Sequence, residues 1–159
     1  LYQVERGATT IWERWDALAP DGSIYDPDMN SYNHYAYGAV CQWLFENVAG
    51  IAPSPAKPGF DEIIISPNFL PALSPVKAWH ECRHGRVEAS WTLKGDTAHY
   101  VVTIPEGARA SVRPEHGIQL ISVDGRKSAA KAPRLSAGTH ELVFRTARAA
   151  KSSTRRKTK

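Results

Sequence analysis

Two short segments near the start of the chain carry residue types suited to work on sugars. In Gly7-Ala8-Thr9-Thr10-Ile11-Trp12-Glu13-Arg14-Trp15-Asp16, two tryptophans and two carboxylates alternate with smaller residues. In Ser31-Tyr32-Asn33-His34-Tyr35-Ala36-Tyr37-Gly38, three tyrosines surround a histidine and an asparagine. Aromatic rings stack on the C–H faces of a sugar while carboxylates and amides orient its hydroxyls. A carboxylate held beside an indole can also have its pKa raised, as acid–base work on glycosides requires. Each feature has a plainer reading. Thr10-x-x-Glu13 is also a capping box, in which Glu13 only bonds the cap's own amide, and His34 near a helix start is also a surface histidine.

A third segment, His80-Glu81-Cys82-Arg83-His84, satisfies the H-E-x-x-H pattern of zinc proteases. That chemistry needs both histidines one turn apart on a helix, with the Glu beside a metal-bound water. Pro75 precedes the segment and Gly85 follows it, leaving room for about 13 Å of helix at 1.5 Å per residue. The alternation after Gly85 reads instead as the second arm of a hairpin turning at Arg83–Arg86. No metal is expected here, and the acidic residues around Asp26-Pro27-Asp28 lack the spacing of a calcium loop.

The elements that must position these residues change character near residue 52. Ala36, Val40, Leu44 and Val48 recur at four-residue spacing, with Ala39 and Trp43 beside them, which predicts an amphipathic helix from about Tyr32 to Ala49. Asn30, Ser31 or Asn33 can cap its start, and Gly50 suits the left-handed position past its end. The small residues Ala36, Gly38 and Ala39 permit a close neighbour, and the apolar stripe needs helical partners that the chain does not supply. Residues 52–59 (APSPAKPG) are rich in proline and read as a linker. From Phe60 the texture is β: Glu62–Ser66, then alternation over Arg86–Leu93, His99–Ile104, Ala110–Arg113, Ile118–Val123 and Glu141–Phe144. Turns are expected at Gly95-Asp96 and Asp124-Gly125. Short strands at this spacing predict an antiparallel β-sandwich.

Composition bounds the partners. With 42% apolar and 23% charged residues, the 159-residue chain is globular in character, and no apolar run approaches the roughly 20 residues of a membrane span. The formal charge of +4 is uneven: residues 145–159 hold seven of the 20 Lys and Arg and no acid, leaving 1–144 at −3. The body therefore offers no basic face for nucleic acid, and residues 145–159 read as a disordered basic tail. Cys41 and Cys82 belong to different elements and are expected as free, buried thiols. The opening LYQVERGATT has none of the parts of a targeting segment; Leu1 is expected to be an internal start, which leaves localisation open.

GATTIWERWD, followed some twenty residues on by SYNHYAYGAVCQWLFENVAGI, resembles the end of the catalytic domain of α-L-rhamnosidases, glycoside hydrolase family 78. PGFDEIIISPNF resembles the strand opening their C-terminal β-sandwich, and HGRVEASWTL a hairpin inside it. The resemblance implies an α+β fragment. Residues 1–51 would be the last helices and loops of an (α/α)6 barrel, 52–59 a linker and 60–144 an antiparallel β-sandwich, with the basic tail outside the match.

The same resemblance implies hydrolysis of terminal α-L-rhamnosyl residues with inversion. It makes Glu13 the general base, His34 a contact of the rhamnose subsite and Trp12 a wall of the pocket. The general acid would lie upstream, in the missing N-terminal part of the barrel, so the chain alone is expected to be inactive; no cofactor is implied. Asp16, Asp26 and Asp28 match no motif and read as loop and capping groups. A rival reading makes residues 60–144 a sugar-binding module with Trp79, Trp91 and Tyr100 as candidate platforms.

Overall fold

The computed structural model describes residues 2–130 and 132–146, which divide into two compact units on either side of the Leu44–Phe45 bond. The first unit holds α1 (Tyr2–Glu5) and α2 (Tyr35–Trp43), with a run of turns and bends between them. Side chains help stitch this run, beside an isolated antiparallel bridge between Leu18 and Ile24. The Tyr2 hydroxyl donates to the Leu18 carbonyl at 2.6 Å, Arg6 to Pro20 at 2.7 Å and the Gln3 amide to Arg14 at 2.9 Å. Trp12 and Ala17 are its buried apolar residues.

The expected helix over 32–49 is shorter and of two kinds. α2 begins at Tyr35, with His34 in extended conformation as its cap and no side-chain bond to the first turn; Leu44–Ala49 is wound as a π-helix. None of Asn30, Ser31 or Asn33 caps it. Gly38 sits in the helix where an added Cβ would rest 3.8 Å from Ile11, so its close neighbour is a loop residue. Val40, Trp43 and Leu44 of the apolar stripe are exposed. Cys41 is exposed and Cys82 half-buried, both free, which corrects the expectation of buried thiols.

The second unit is the β-sandwich. One sheet has the order β1 (Ile51–Pro53), β2 (Glu62–Ile65), β6 (Arg109–Val112), β9 (Arg134–Leu135). The other runs β3 (Val76–Cys82), β4 (Gly85–Lys94), β5 (Thr97–Ile104), β10 (Gly138–Thr146), β7 (Ile118–Val123), β8 (Arg126–Lys127). Pairing is antiparallel except for β2 with β6, so the expected architecture holds with one parallel pair. Alternation sends Val87, Ala89 and Trp91 of β4, Ala98, Tyr100, Val102 and Ile104 of β5, and Leu142 and Phe144 of β10 inward. They meet Ile63, Ile65, Ala110 and Val112 from the opposing sheet and Phe69 from the chain after β2. Within the proline-rich stretch, Ala52 and Pro53 belong to β1, paired with Ile64 and Ile63. Of the basic segment 145–159, Arg145 and Thr146 complete β10; the rest lies outside the described residues.

The end of the π-helix is finished by the sandwich. A helix leaves its last carbonyls without partners inside the helix. Here the Trp91 indole N–H donates to Val48 O at 2.8 Å and the Tyr100 hydroxyl to Ala49 O at 2.9 Å, both buried. Burial also pushes the Tyr100 phenol well above its usual pKa. Gly50 follows at φ 74°, where an added Cβ would lie 2.5 Å from the Pro67 backbone. Gly125 has the same φ of 74° but open space around it. Gly125→Ala should therefore show only the strain of a left-handed alanine, about 1 kcal/mol. Gly50→Ala adds a backbone clash and should cost about 3 kcal/mol or more. Urea unfolding of the two variants separates these costs, and equal midpoints would remove the close approach as a constraint.

Candidate active site

The two sequence clusters come together. Segment 11–13 runs beside 31–34: the Glu13 amide donates to Ser31 O at 2.8 Å and the His34 amide to Ile11 O at 2.7 Å. The Thr10 hydroxyl donates to Tyr32 O. Thr10 thus makes no capping box, since no helix begins there. The Glu13 carboxylate instead accepts the Ser31 amide on Oε2 at 2.9 Å. Its Oε1 faces His34 Nδ1 at 4.0 Å. That is the outer limit of an ion pair and beyond a hydrogen bond.

Glu13 and His34 are each only partly covered, with side chains 26% and 37% exposed, so both remain reachable by a small ligand. Glu13 lines an open depression with Gln3, Ile11, Arg14, Trp15, Asp16 and Met29. Trp15 is exposed there and meets Tyr2 edge-on at 6.1 Å. Trp12 is placed differently. It is buried, edge-on to Tyr32 at 5.2 Å.

Sequence reasoning did not single out Arg14. Its guanidinium makes a two-point contact with Asp16, Nε to Oδ1 at 3.1 Å and Nη2 to Oδ2 at 3.3 Å. Nη1 reaches Asp26 Oδ2 at 3.2 Å, and Cζ lies 4.8 Å from the centre of the Tyr25 ring. The hydrogen bond from Arg14 holds the Asp16 carboxyl below its usual pKa. Asp26 Oδ1 accepts the Asp28 amide at 3.1 Å, the local turn expected for Asp-Pro-Asp. The available signal was an arginine flanked by Glu13 and Asp16, with a further acidic pair a dozen residues away.

The metal-like motif lies on a hairpin. His80, Glu81 and Cys82 belong to β3, paired with Val87, Arg86 and Gly85 of β4. His80 packs against Phe60 at 4.5 Å between ring centres, while His84 in the turn bonds Asp61 at 2.5 Å. Of the three sugar platforms in the rival reading, Trp91 and Tyr100 are each 1% exposed and serve the core. Trp79 is exposed but has the Arg86 guanidinium 5.2 Å above its ring.

Residues 1–48 match the model of the bacterial alpha-L-rhamnosidase 6 hairpin glycosidase domain, and residues 50–127 that of the bacterial alpha-L-rhamnosidase C-terminal domain. An alpha-L-rhamnosidase of Streptomyces avermitilis is 38% identical over 111 residues, which is 70% of this chain and 11% of that protein. One from Formosa agariphila is 36% identical over 125 residues, 78% of this chain and 13% of that protein. The crystal structure of the Streptomyces avermitilis alpha-L-rhamnosidase complexed with L-rhamnose superposes with a TM-score of 0.58 at 30% identity, over 89% of this chain and 14% of that one. The chain thus spans 11% and 13% of the length of these two curated relatives. In sequence and in fold, it belongs to the bacterial alpha-L-rhamnosidase family of glycoside hydrolases.

Proposed function

We propose that the chain is the C-terminal portion of an inverting α-L-rhamnosidase and that Glu13 is its general base. The observation that carries this reading is the setting of the Glu13 carboxylate. One oxygen is held by the Ser31 amide, the other faces His34, and both sit in an open depression beside the exposed indole of Trp15. An inverting glycosidase needs a carboxylate to draw a proton from the attacking water and a protonated carboxyl to serve the leaving oxygen. The two stand about 6.5–9.5 Å apart, with the water between the base and the sugar.

Glu13 supplies the first of these. His34 hydrogen-bonds the bound rhamnose, and Trp12 holds the turn behind the base. Three other carboxylates of unit 1 are committed elsewhere: Asp16 and Asp26 to Arg14, and Asp21 to Ser23. The acid, as the family resemblance implies, is assigned to the N-terminal part of the barrel, which the chain needs as a partner. The substrate is a rhamnosylated glycoside or oligosaccharide.

On this reading, the purified chain releases no p-nitrophenol from p-nitrophenyl α-L-rhamnoside above background, and binds no rhamnose at millimolar concentration. The continuous enzyme does both. Turnover by the chain alone, lost on Glu13→Gln, would overturn the division of the acid–base pair. Rhamnose binding by the chain that survives Glu13→Gln and His34→Ala would move the sugar site to the sandwich.

A further inference from the structure

We propose that Arg14, clamped by Asp16 and Asp26, is the positioning residue that orients the general base; this rests on the assignment of Glu13 above. Glu13 lies in a stretch with no helix or sheet ladder around it, so its aim depends on individual contacts. On its N-terminal side these are dense. Ile11 and Glu13 exchange backbone bonds with His34 and Ser31, and Trp12 is buried against Tyr32. On its C-terminal side Trp15 is exposed, with an edge-on contact to Tyr2, and the chain is next buried at Ala17. Between Glu13 and Ala17 the polar side-chain tie is Arg14: the guanidinium on Asp16 and Asp26, its face on Tyr25, and its carbonyl accepting from Gln3.

The geometry of the clamp is that of a fork rather than a point charge. Three guanidinium nitrogens are directed to three carboxylate oxygens on two segments, residues 16 and 26. A planar, two-point contact fixes direction as well as distance, which an ammonium cannot do. Arg14 also lines the same depression as Glu13. Two carboxylates occupy its donors, so the charge next to the base in sequence is spoken for by partners other than the base. Arg14 touches no reacting atom in this scheme. It sets where the turn from Trp12 to Asp16 points, and through that the line from the Glu13 carboxylate to the water.

The test is made in the continuous enzyme with Arg14→Met and Arg14→Lys, measuring kcat, KM and rhamnose affinity beside the thermal midpoint. A shift of about 1 Å in a catalytic group can lower turnover by about a hundredfold. Arg14→Met is expected to lose kcat on that scale while KM and rhamnose affinity stay within about threefold of the parent. Arg14→Lys, which keeps the charge but not the fork, is expected to recover only part of kcat. Retention of kcat in Arg14→Met would overturn the proposal. So would a fall in kcat matched by loss of rhamnose affinity and of the thermal midpoint, which is the signature of a merely structural ion pair. Glu13→Gln in the same series separates the two assignments. If it is inactive while Arg14→Met turns over normally, only the positioning role fails. If Glu13→Gln is itself active, the base assignment fails.

Discussion

Replacing Glu13 by glutamine in the continuous enzyme should abolish turnover and leave rhamnose binding nearly intact. The substitution keeps shape and one acceptor, so the Ser31 amide that now bonds Oε2 at 2.9 Å still finds a carbonyl oxygen. The contact of buried Trp12 with Tyr32 is untouched. What is lost is the ability to take a proton from water in the transition state. Positioned acid–base groups contribute about 10²–10⁴-fold to rate, and a loss on that scale should fall on kcat rather than KM, because the interaction is made only in the transition state. His34→Ala should divide differently. Its side chain faces Glu13 at 4.0 Å and is assigned to ground-state contact with the sugar, so its loss should raise KM more than it lowers kcat. The first-formed product should be the β-anomer of rhamnose, read by NMR before mutarotation. A fully active Glu13→Gln enzyme removes Glu13 from the mechanism, whereas an initial α-anomer removes inversion and leaves the residue's importance standing.

Where the chain repeats a period or a motif, its structure was legible. The alternation from Arg86 to Leu93 and from His99 to Ile104 is the β4–β5 hairpin, turning at Gly95-Asp96. Asp124-Gly125 closes the β7–β8 hairpin. The pairing of 11–13 with 31–34 was not legible, since nothing in either segment requires the other; one resemblance spanned both but specified no contact between them. Elements too short to show a period were not legible. β8 and β9 have two residues each, and β1 ends on Pro53 amid residues that otherwise read as a linker. The expected cap failed because the helix begins only at Tyr35, and the Ser31 hydroxyl accepts the Asn33 amide at 3.3 Å instead. Cys41 was expected buried as an ordinary free thiol, yet it is exposed, as are Val40, Trp43 and Leu44 of the apolar stripe on its helix. Burial of that stripe requires partners outside this chain, and periodicity cannot say whether they are present. The Arg14 clamp joins residues 2 and 12 positions apart through irregular chain, a geometry that leaves no repeat to read.

Trp91→Ala should be the most damaging substitution in the sandwich, because one side chain fills the core and finishes a helix. The indole is 1% exposed and meets Phe69 edge-on at 5.3 Å; Phe69 in turn packs against Tyr100 and Phe144 at 6.4 and 5.2 Å. Truncation removes that packing and leaves a cavity, at a cost of about 3–5 kcal/mol. It also leaves Val48 O, buried at the end of the π-helix, without the donor it has at 2.8 Å. An unsatisfied buried group adds about 1–3 kcal/mol. Trp91→Phe isolates the second cost, since it keeps an aromatic ring against Phe69 but loses the N–H. Tyr100→Phe does the same for Ala49 O, now bonded at 2.9 Å. Each phenylalanine variant should therefore lower stability by about 1–3 kcal/mol, and Trp91→Ala by more than either. Together the two phenylalanines should cost more than their sum if the adjacent carbonyls of Val48 and Ala49 depend on each other, a coupling a double-mutant cycle measures. The segment they hold continues in sequence from α2, whose cap is His34. In the continuous enzyme a sandwich variant should thus lose activity by unfolding on heating, at temperatures where the parent survives, while kcat at low temperature stays normal. A Trp91→Phe enzyme with unchanged thermal midpoint would show that the indole–carbonyl bond contributes nothing. A low-temperature loss of kcat would mean that the sandwich acts on the chemistry itself.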